Sequence, residues 1–252
     1  NEYHPVDSVV YPKNKIFNTY TSLEPRVAFT YLLNGVSSVK GSYLHASQFI
    51  ALAQNSTAGT PLDIWFPASP NVRPQVSDQF SAGYFRNFKQ NMYEVSGEVY
   101  YKLFTNLIDF RDHAQLFLNQ YLEGELRIGR GYAYGIESLI RKDEGRLTGW
   151  ISYTWSRSFR IIPEINDGNR YSSPYDKPHS VNVVANFELS KRIVASATWI
   201  YATGLPVTFP TGRAIIGNAI VPIYSNRNAY RMPDYHRLDL SLTFKGKPGK
   251  KW

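Results

Sequence analysis

The segment "HSVNVVANFELS" (179–190) decides the fold class, because its apolar residues recur at every second position. One face would carry Val181, Val183, Ala185, Phe187 and Leu189, the other Asn182, Asn186 and Glu188, with Val184 as the exception. Successive side chains of a β-strand point to opposite faces of the sheet. The period of two therefore predicts a strand with one apolar and one polar face.

The same alternation recurs along most of the chain. It is clear in "YEVSGEVYYKLF" (93–104), "RLTGWISYTWS" (146–156) and "YHRLDLSLTF" (235–244), and weaker over 26–33, 39–53, 79–88, 126–141 and 193–203. These segments give nine strands, and no segment has the period of an amphipathic helix. The sequence predicts an all-β protein.

Composition narrows the class of protein further. Aromatic residues make up 15% of the 252 residues and charged residues only 19%, below the roughly 25% of an average soluble domain. Cysteine is absent, which excludes disulfides and thiolate metal sites. The net charge is +8, but the basic residues are scattered apart from Lys245, Lys247, Lys250 and Lys251, so we predict no nucleic-acid partner.

The connections between the predicted strands alternate between short and long. The short ones are 34–38, 89–91, 142–145, 190–192 and 245–251, and the long ones are 54–78, 106–125, 161–177 and 204–234. Successive connections of an antiparallel meander lie at opposite ends of its sheet. One end would therefore carry tight turns and the other long loops, as in outer-membrane barrels with short periplasmic turns and long extracellular loops.

Aromatic and polar residues fit such an up-and-down transmembrane barrel. Aromatic residues lie near the long-loop ends of strands (Tyr100, Tyr101, Phe104, Trp155, Phe159, Trp199, Tyr201) and near the short-turn ends (Tyr31, Phe88, Tyr93, Phe244). Two such rows are typical of the girdles at the two membrane interfaces. The polar face would look into the lumen with Glu94, Glu98, Lys102, Asn182, Asn186, Glu188, Arg237 and Asp239.

Five segments resemble TonB-dependent outer-membrane receptors. They are "NSTAGTPLDIWFPASPNVRPQVSDQFSAGYFRNF" (55–88), "GRGYAYGIESLIRKDEGRLTGWISYTWSRS" (129–158), "YDKPHSVNVVANFELS" (175–190), "ATWIYATGLPVTFP" (197–210) and "YRMPDYHRLDLSLTF" (230–244). The resemblance implies a 22-stranded barrel with an N-terminal plug, which imports scarce nutrients with energy from the TonB complex. Residues 1–252 would then be the C-terminal part of this barrel, about nine to ten strands, with the plug, the first barrel half and the final strand lying outside the sequence.

The resemblance also implies partners and a location. The chain would lie in the outer membrane of a Gram-negative bacterium, in contact with its lipid, the plug and the remaining barrel strands. TonB would act through a region outside this sequence, and a surface lipoprotein is a further candidate partner. The resemblance implies a transporter and not an enzyme, without a cofactor.

The residues themselves give little sign of catalysis. No Gly-x-Ser-x-Gly motif occurs, and for Glu94 and Glu98 a solvated lumen face is favoured over a catalytic carboxylate pair. The five histidines lack the spacing of a metal site, so none is predicted. The glycines at 129, 131 and 135 share one face, which favours either room for a lumen plug or a bend.

Candidate ligand-binding residues lie in or beside the long loops. Trp65, Phe66, Phe117 and Tyr121 would be exposed rings suited to stacking on a ligand, and the alternative is that they pack the loops onto one another. Arginines that could meet an anionic ligand are Arg73, Arg157, Arg160 and Arg170.

Two other classes of function remain open at this point. One is a passive porin-like or structural outer-membrane barrel, and the other is a soluble carbohydrate-binding β-sandwich. The substrate also remains open among iron chelates, cobalamin, oligosaccharides and peptides, because the loops decide it.

Overall fold

The computed structural model describes residues 12–53, 64–112, 114, 116, 118–119, 121–217 and 219–246. In these residues the strands are β1 (Arg26–Asn34), β2 (Ser37–Gln48), β3 (Ile50–Ala53), β4 (Ile64–Pro67), β5 (Gln75–Phe88), β6 (Tyr93–Phe110), β7 (Leu126–Lys142), β8 (Leu147–Ile161), β9 (Tyr171–Ser172), β10 (His179–Ser190), β11 (Ile193–Ala202), β12 (Pro206–Val207), β13 (Pro210–Ile216), β14 (Ala219–Tyr224), β15 (Tyr230–Arg231) and β16 (Tyr235–Phe244). Two short 3₁₀ helices are Leu122–Glu125 and Asn166–Gly168. None of the helices in this part of the chain is long and apolar enough to cross a membrane.

Nine long strands form one antiparallel sheet in the order β1-β2-β5-β6-β7-β8-β10-β11-β16, and the short β9 pairs with β8. Each long strand is hydrogen-bonded to the long strands that precede and follow it in the chain. This is an up-and-down meander, which confirms the predicted all-β fold and its nine strands. The remaining short strands form the pairs β3-β4, β12-β15 and β13-β14 within the long connections.

The register of the sheet separates a polar face from an apolar face. Glu98 pairs with Glu137, which pairs with Thr154, and Thr154 pairs with Ser180. Directly opposite residues project to the same side of a sheet. Followed across all nine strands, this register places Glu94, Glu98, Lys102, Asn182, Asn186, Glu188, Arg237 and Asp239 on one side, which we call the polar face.

The opposite side, the apolar face, exposes a row of large side chains. In β16, Leu238, Leu240 and Leu242 are 58%, 74% and 59% exposed. A monomeric soluble protein rarely exposes a contiguous apolar surface of this kind. The buried core lies instead at the end of the sheet where the long connections 49–74, 111–125, 162–178 and 203–234 meet, which we call the long-loop end.

An aromatic band crosses the apolar face near the long-loop end. Its ring centroids lie 6.4 Å apart for Tyr101 and Tyr132, 5.5 Å for Tyr132 and Phe159, and 5.7 Å for Tyr134 and Trp155. Trp199 and Tyr201 stack on the same face of β11. This row of the predicted girdles is confirmed for Tyr101, Trp155, Phe159, Trp199 and Tyr201.

Two of the predicted girdle residues were placed on the wrong side. Tyr100 and Phe104 are paired with Gly135 and Gly131, on the polar face. The reason is the period of the strand, since Tyr100 and Phe104 share their parity with Glu98 and Lys102. The four aromatic residues predicted near the short turns (Tyr31, Phe88, Tyr93, Phe244) all lie on the apolar face.

Several strand boundaries differ from those expected, and β5 already starts at Gln75 instead of at 79. β6 runs to Phe110, well into the predicted loop 106–125, because Asn106 adopts a φ of 56° and forms a bulge between Thr105 and Leu107. Asparagine tolerates this backbone conformation, so the strand continues past it. The predicted strand 39–53 breaks at Phe49, and Ile50–Ala53 turns away to pair with Ile64–Pro67.

The glycines of β7 allow its backbone to approach β8 closely. A Cβ atom added to Gly129, Gly131 or Gly135 would lie 2.4–2.6 Å from a carbonyl oxygen of β8. That space is filled by the neighbouring strand, so glycine at these positions serves the close approach of β7 to β8. Room for a lumen plug and a bend both stay predictions.

Candidate ligand-binding site

Two apolar clusters hold the connections together at the long-loop end. The first consists of Ala51, Ala53, Phe66, Val72, Ile108, Phe110, Leu116 and Leu126, and the second of Leu107, Ile162, Ile165 and Tyr171. They contain four of the fully buried side chains that the structure describes, Ile108, Phe110, Ile162 and Ile165, at 0–1% exposed. The end of β6 supplies residues to both clusters, so this strand anchors the loops on either side of it.

A buried carboxylate joins the clusters. Asp109 is 3% exposed. Its Oδ1 accepts a hydrogen bond from Nη1 of Arg227 at 3.1 Å, and its Oδ2 accepts one from the hydroxyl of Tyr171 at 2.8 Å. Nη1 of Arg160 lies 3.4 Å from the same Oδ2. One side chain of β6 is therefore bonded to β8, to the connection 162–178 and to the connection 203–234.

The electrostatics of this cluster follow from its burial. Burial, and then the nearby Asp109 carboxylate, raise the pKa of Tyr171, which keeps its hydroxyl protonated. Burial alone would lower the pKa of Arg227, but the carboxylates of Asp109 and Asp112 raise it above its usual value. Arg227 also donates to the carbonyl oxygen of Phe110 at 3.0 Å and to Asp112 at 2.9 Å.

A second buried carboxylate binds the same connections on the other side of β8. Asp176 is 1% exposed. It forms an ion pair with Arg231, lies 3.6 Å from Nε of Arg157, and accepts a hydrogen bond from the backbone N–H of Ser158 at 2.7 Å. Arg231 donates in addition to the carbonyl oxygen of Gly204 at 3.1 Å. The arrangement fixes the start and the end of the connection 203–234 against β8.

A cavity of about 490 Å³ opens beneath these loops. Pockets for small molecules commonly have volumes of about 300–1,000 Å³. Its lining includes Tyr100, Lys102, Phe104, Ser156, Ser158 and Arg160. The ammonium group of Lys102 lies 5.1 Å from the centroid of the Tyr100 ring, and no carboxylate pairs with it in the part of the chain that the structure describes. The cavity therefore combines a cation, aromatic rings and hydroxyl groups.

Of the four arginines predicted from the sequence as ligand-binding candidates, two line the cavity and two do not. Arg157 and Arg160 line the cavity, and both are also held by the buried carboxylates. Arg170 does not line the cavity; it donates to the hydroxyl of Tyr132 at 2.8 Å on the apolar face, the face from which Arg157 also projects. Arg73, in the connection before β5, does not line the cavity.

The aromatic candidates for ligand binding differ in their exposure. Trp65 is 62% exposed on β4, but Phe66 is only 6% exposed, so the expectation of an exposed ring is wrong for Phe66. Its ring packs edge-on against Phe110, 6.0 Å between centroids, because alternate residues of a strand face opposite sides. Tyr121 is 47% exposed beside the first 3₁₀ helix, and Phe117 lies outside the described residues.

Sequence reasoning missed the residues that organise the site. Asp109, Asp176, Tyr171, Arg227 and Arg231 were not singled out, because their partners are distant in the chain. A signal for Asp109 was present in "LIDF" (107–110), where a single carboxylate interrupts an apolar run. A buried charge requires partners, so such a residue predicts a buried ion pair.

Two of the histidines, His45 and His179, form polar contacts on the sheet. Nδ1 of His45 lies 2.7 Å from Asp78, and Nδ1 of His179 lies 2.9 Å from the hydroxyl of Tyr153. In the residues that the structure covers, no group of three or more histidine, cysteine or acidic side chains could hold a metal ion.

Comparisons with known proteins agree with this architecture. The crystal structure of the closed form of Fiu, the ferric-catecholate import receptor of E. coli K12, is similar with a TM-score of 0.58 and 15% sequence identity. The similarity covers 88% of this chain and 28% of that receptor, so the chain spans less than a third of the receptor's length. No sequence among the curated proteins matches significantly.

The family comparison covers nearly the whole chain. The family described as TonB dependent receptor-like, beta-barrel, matches residues 2–252. Receptors of this family are transporters of the Gram-negative outer membrane, with a β-barrel of antiparallel strands. The meander, the two faces and the segregated loops are the features of such a barrel wall. The chain belongs to the TonB-dependent receptor β-barrel family.

Proposed function

We propose that this chain supplies barrel wall and extracellular ligand loops to a transporter that takes up a scarce nutrient across the outer membrane with energy from TonB. The proposal rests on one observation: the sheet combines an exposed apolar face with a cavity at its long-loop end. Buried ion pairs hold the long connections in place above that cavity. Membership of a family of transporters supports it.

The orientation follows from the two faces. The apolar face contacts lipid, and the polar face with Glu94, Glu98 and Lys102 looks into the lumen. The long-loop end is extracellular and the tight turns are periplasmic, as in other outer-membrane barrels. The plug and the remaining strands are the partners of the polar face and of the sheet edges.

Capture of the ligand takes place at the long-loop end. Lys102 provides a positive charge to an anionic ligand, and Tyr100 and Phe104 provide rings that contact its apolar parts. Arg157 and Arg160 shape the cavity while Asp176 and Asp109 hold their guanidinium groups. Trp65 and Tyr121 are exposed in the loops and serve as first contacts.

Release of the ligand into the periplasm depends on partners. Movement of the plug, driven by the TonB complex, opens the path. A surface lipoprotein that closes over the loops is a further candidate partner. The proposed role requires neither catalysis nor a cofactor.

The class of nutrient is a separate question. The similar receptor Fiu is a ferric-catecholate import receptor by its description, and at 15% identity the likeness concerns the fold. A ferric catecholate is anionic and aromatic, so it fits a cavity with Lys102 and Tyr100 and belongs in the first panel of candidate ligands.

Uptake by the complete receptor tests the proposal. The receptor is produced in a host without its own transporters, and uptake of labelled ferric catecholates, ferric hydroxamates, cobalamin and oligosaccharides is measured with and without a functional tonB gene. We expect uptake of one ligand that disappears without TonB or after a proton uncoupler. Uptake that continues unchanged under both conditions would identify a passive channel.

A matched pair of variants locates the binding step. Lys102→Gln removes the charge in the cavity, and we expect the concentration for half-maximal uptake to rise about tenfold. Lys191→Gln removes a charge at a short turn, outside the cavity, and should leave uptake unchanged.

A further inference from the structure

The polar face changes the sign of its charge just beneath the cavity. We call each set of directly opposite residues across the sheet a level. Lys102 lines the cavity and pairs with Ala133 of β7. Two levels closer to the short turns, Glu98 pairs with Glu137 of β7. The levels of Lys102 and Glu98 are roughly 13 Å apart along the strand. A positive level therefore lies above a negative one on the same wall.

A tyrosine ring occupies the level between these charges. Tyr100 pairs with Gly135, and Gly135 pairs with Ser156 of β8. A Cβ atom added to Gly135 would lie 2.8 Å from the hydroxyl oxygen of Tyr100 and 2.9 Å from its ring, so the tyrosine lies directly over this glycine. Its hydroxyl group lies close to the side chain of Ser156. The ring therefore spans β7 and forms the lower boundary of the cavity.

The negative level keeps a net charge across the whole sheet. Its members are Thr30, Lys40, Gly83, Glu98, Glu137, Thr154, Ser180, Ala202 and Tyr235. Two carboxylates and one ammonium group give it a net charge of −1. Neither glutamate forms an ion pair with a residue that the structure describes, and the ammonium group of Lys40 lies 4.2 Å from the centroid of the Phe85 ring.

The two glutamates of this level stand directly opposite each other on adjacent strands. Like charges in such positions repel each other and destabilise a sheet. The same field repels any other anion that approaches along the wall, and a low-dielectric wall focuses it. An anionic ligand at Lys102 is therefore attracted where it lies and repelled below.

We propose that Glu98 and Glu137 form a charge barrier beneath the cavity, which holds an anionic ligand at the level of Lys102 and opposes its further passage along the wall. Rings of carboxylates in pores discriminate against anions by the same repulsion. Glu98 and Glu137 thus determine the charge of the ligand that the cavity retains. The inference rests on the proposed capture of an anionic ligand in this cavity.

The experiment measures the local charge preference at two levels of the wall, in the complete receptor purified in detergent. Ser158→Cys places a thiol at the level of Lys102, and Thr154→Cys places one at the level of the two glutamates. Each variant is made in an otherwise cysteine-free receptor. The probes are three methanethiosulfonates that carry a sulfonate, a trimethylammonium group or no charge. The rate with the uncharged reagent corrects each position for access.

The two thiols should show opposite preferences. We expect the sulfonate reagent to react faster than the trimethylammonium reagent at Ser158→Cys, and more slowly at Thr154→Cys. In the Thr154→Cys receptor, the double change Glu98→Gln and Glu137→Gln should raise the corrected rate of the sulfonate reagent about tenfold, because two charges close to the thiol are removed.

A matched control lies on the polar face of the same strand. Glu94 pairs with Arg141, with 3.6 Å between the carboxylate oxygen and Nε. It lies two levels from Glu98 toward the short turns, so Glu94→Gln should leave the rates at Thr154→Cys unchanged. The heat-dependent mobility of the barrel on a denaturing gel shows whether each variant is folded.

Two results would overturn the proposal. One is equal corrected rates of the two charged reagents at Thr154→Cys, since another part of the receptor would then neutralise the glutamates. The other is an equal effect of Glu94→Gln and of the double change, since only the overall charge would then matter. A failure of the proposed transport would appear separately, because uptake is measured in cells with TonB and the charge preference on the purified receptor without it.

Discussion

Asp109 accepts a hydrogen bond at 3.1 Å from Arg227, a residue 118 positions later in the chain. Asp109 belongs to the end of β6, and Arg227 belongs to the connection between β11 and β16. Tyr171, from the connection between β8 and β10, donates to the same carboxylate. Three segments that are distant in sequence thus share one buried charge, which holds them together at the long-loop end.

Replacement of Asp109 by asparagine should loosen the loops without unfolding the wall. The change leaves Arg160 and Arg227 without their buried counter-charge, and breaking such a pair costs about 3–5 kcal/mol. We expect rapid proteolysis within residues 162–178 and 203–234, with the barrel still resistant. Limited proteolysis followed by mass spectrometry measures this.

Asp112 offers the control for that experiment. Its side chain is 44% exposed and bonds the same Arg227 at 2.9 Å. An exposed pair contributes about 0–1 kcal/mol, so Asp112→Asn should keep the loops protected. Equal proteolysis of both variants would mean that burial of Asp109 has no special role.

The raised pKa of Tyr171 predicts how the stability of the loops changes at alkaline pH. Its pKa is raised in the folded protein by burial and by Asp109, whereas an unfolded tyrosine titrates near a pKa of about 10. A raised pKa contributes stability that is complete below the unfolded pKa and is lost as the pH rises through the folded one. Loop stability should therefore fall with pH above about 10, as the unfolded segment releases its proton.

Tyr171→Phe should remove this dependence. The variant loses one hydrogen bond to Asp109, worth about 1 kcal/mol near pH 7. Above pH 10 its loop stability should change less with pH than that of the unchanged protein. Hydrogen exchange of residues 162–178 from pH 7 to 11 provides the measurement, and parallel curves for the two proteins would contradict the assignment.

Gly131→Ala should impair folding of the wall. The added methyl group would lie 2.6 Å from the carbonyl oxygen of Phe159 and 2.7 Å from Leu107, and overpacking of this kind costs about 1–3 kcal/mol. Gly97, on the adjacent β6, has nothing within 4 Å of its Cβ position. Gly97→Ala should fold as well as the unchanged protein, and the comparison needs only the folded fraction after refolding into detergent. Equal folded fractions would mean that β7 and β8 are not so close.

The membrane orientation of the sheet can be tested with two adjacent residues. Leu240 lies in the middle of β16 on the apolar face, and Ser241 lies on the polar face. An arginine facing lipid near the bilayer midplane costs about 2–4 kcal/mol. Leu240→Arg should lower the free energy of unfolding by about that amount and Ser241→Arg by much less. A larger loss of stability for Ser241→Arg than for Leu240→Arg would mean that lipid contacts the polar face, and it would contradict the proposed orientation.

Alternation of side chains was sufficient to predict the wall. The segment 179–190 was predicted as a strand, and β10 has the same bounds because its two faces differ in polarity along its length, with Val184 as the exception. The bulge at Asn106 was not predicted, because an asparagine after an apolar run usually indicates a turn. Tertiary packing of Leu107, Ile108 and Phe110 keeps the strand going beyond it.

The site was predicted less completely than the wall. Arg157 and Arg160 were identified as candidates and line the cavity, but the carboxylates that hold them were not. Pairs such as Arg160 with Asp109 and Arg231 with Asp176 join positions 51 and 55 apart in the chain. Contacts at this separation depend on the order of the strands, which local patterns do not specify.

The central claim is that this sheet is an outer-membrane wall with its long loops outside the cell. The chain contains no cysteine, so a single introduced cysteine in an otherwise cysteine-free receptor reports one position. Trp65→Cys places a thiol on an exposed loop, and Lys191→Cys places one at a short turn. The measurement is labelling of intact cells with a membrane-impermeant maleimide. We expect Trp65→Cys to react in intact cells and Lys191→Cys only after lysis, whereas the opposite pattern, or equal labelling of both, would contradict the account.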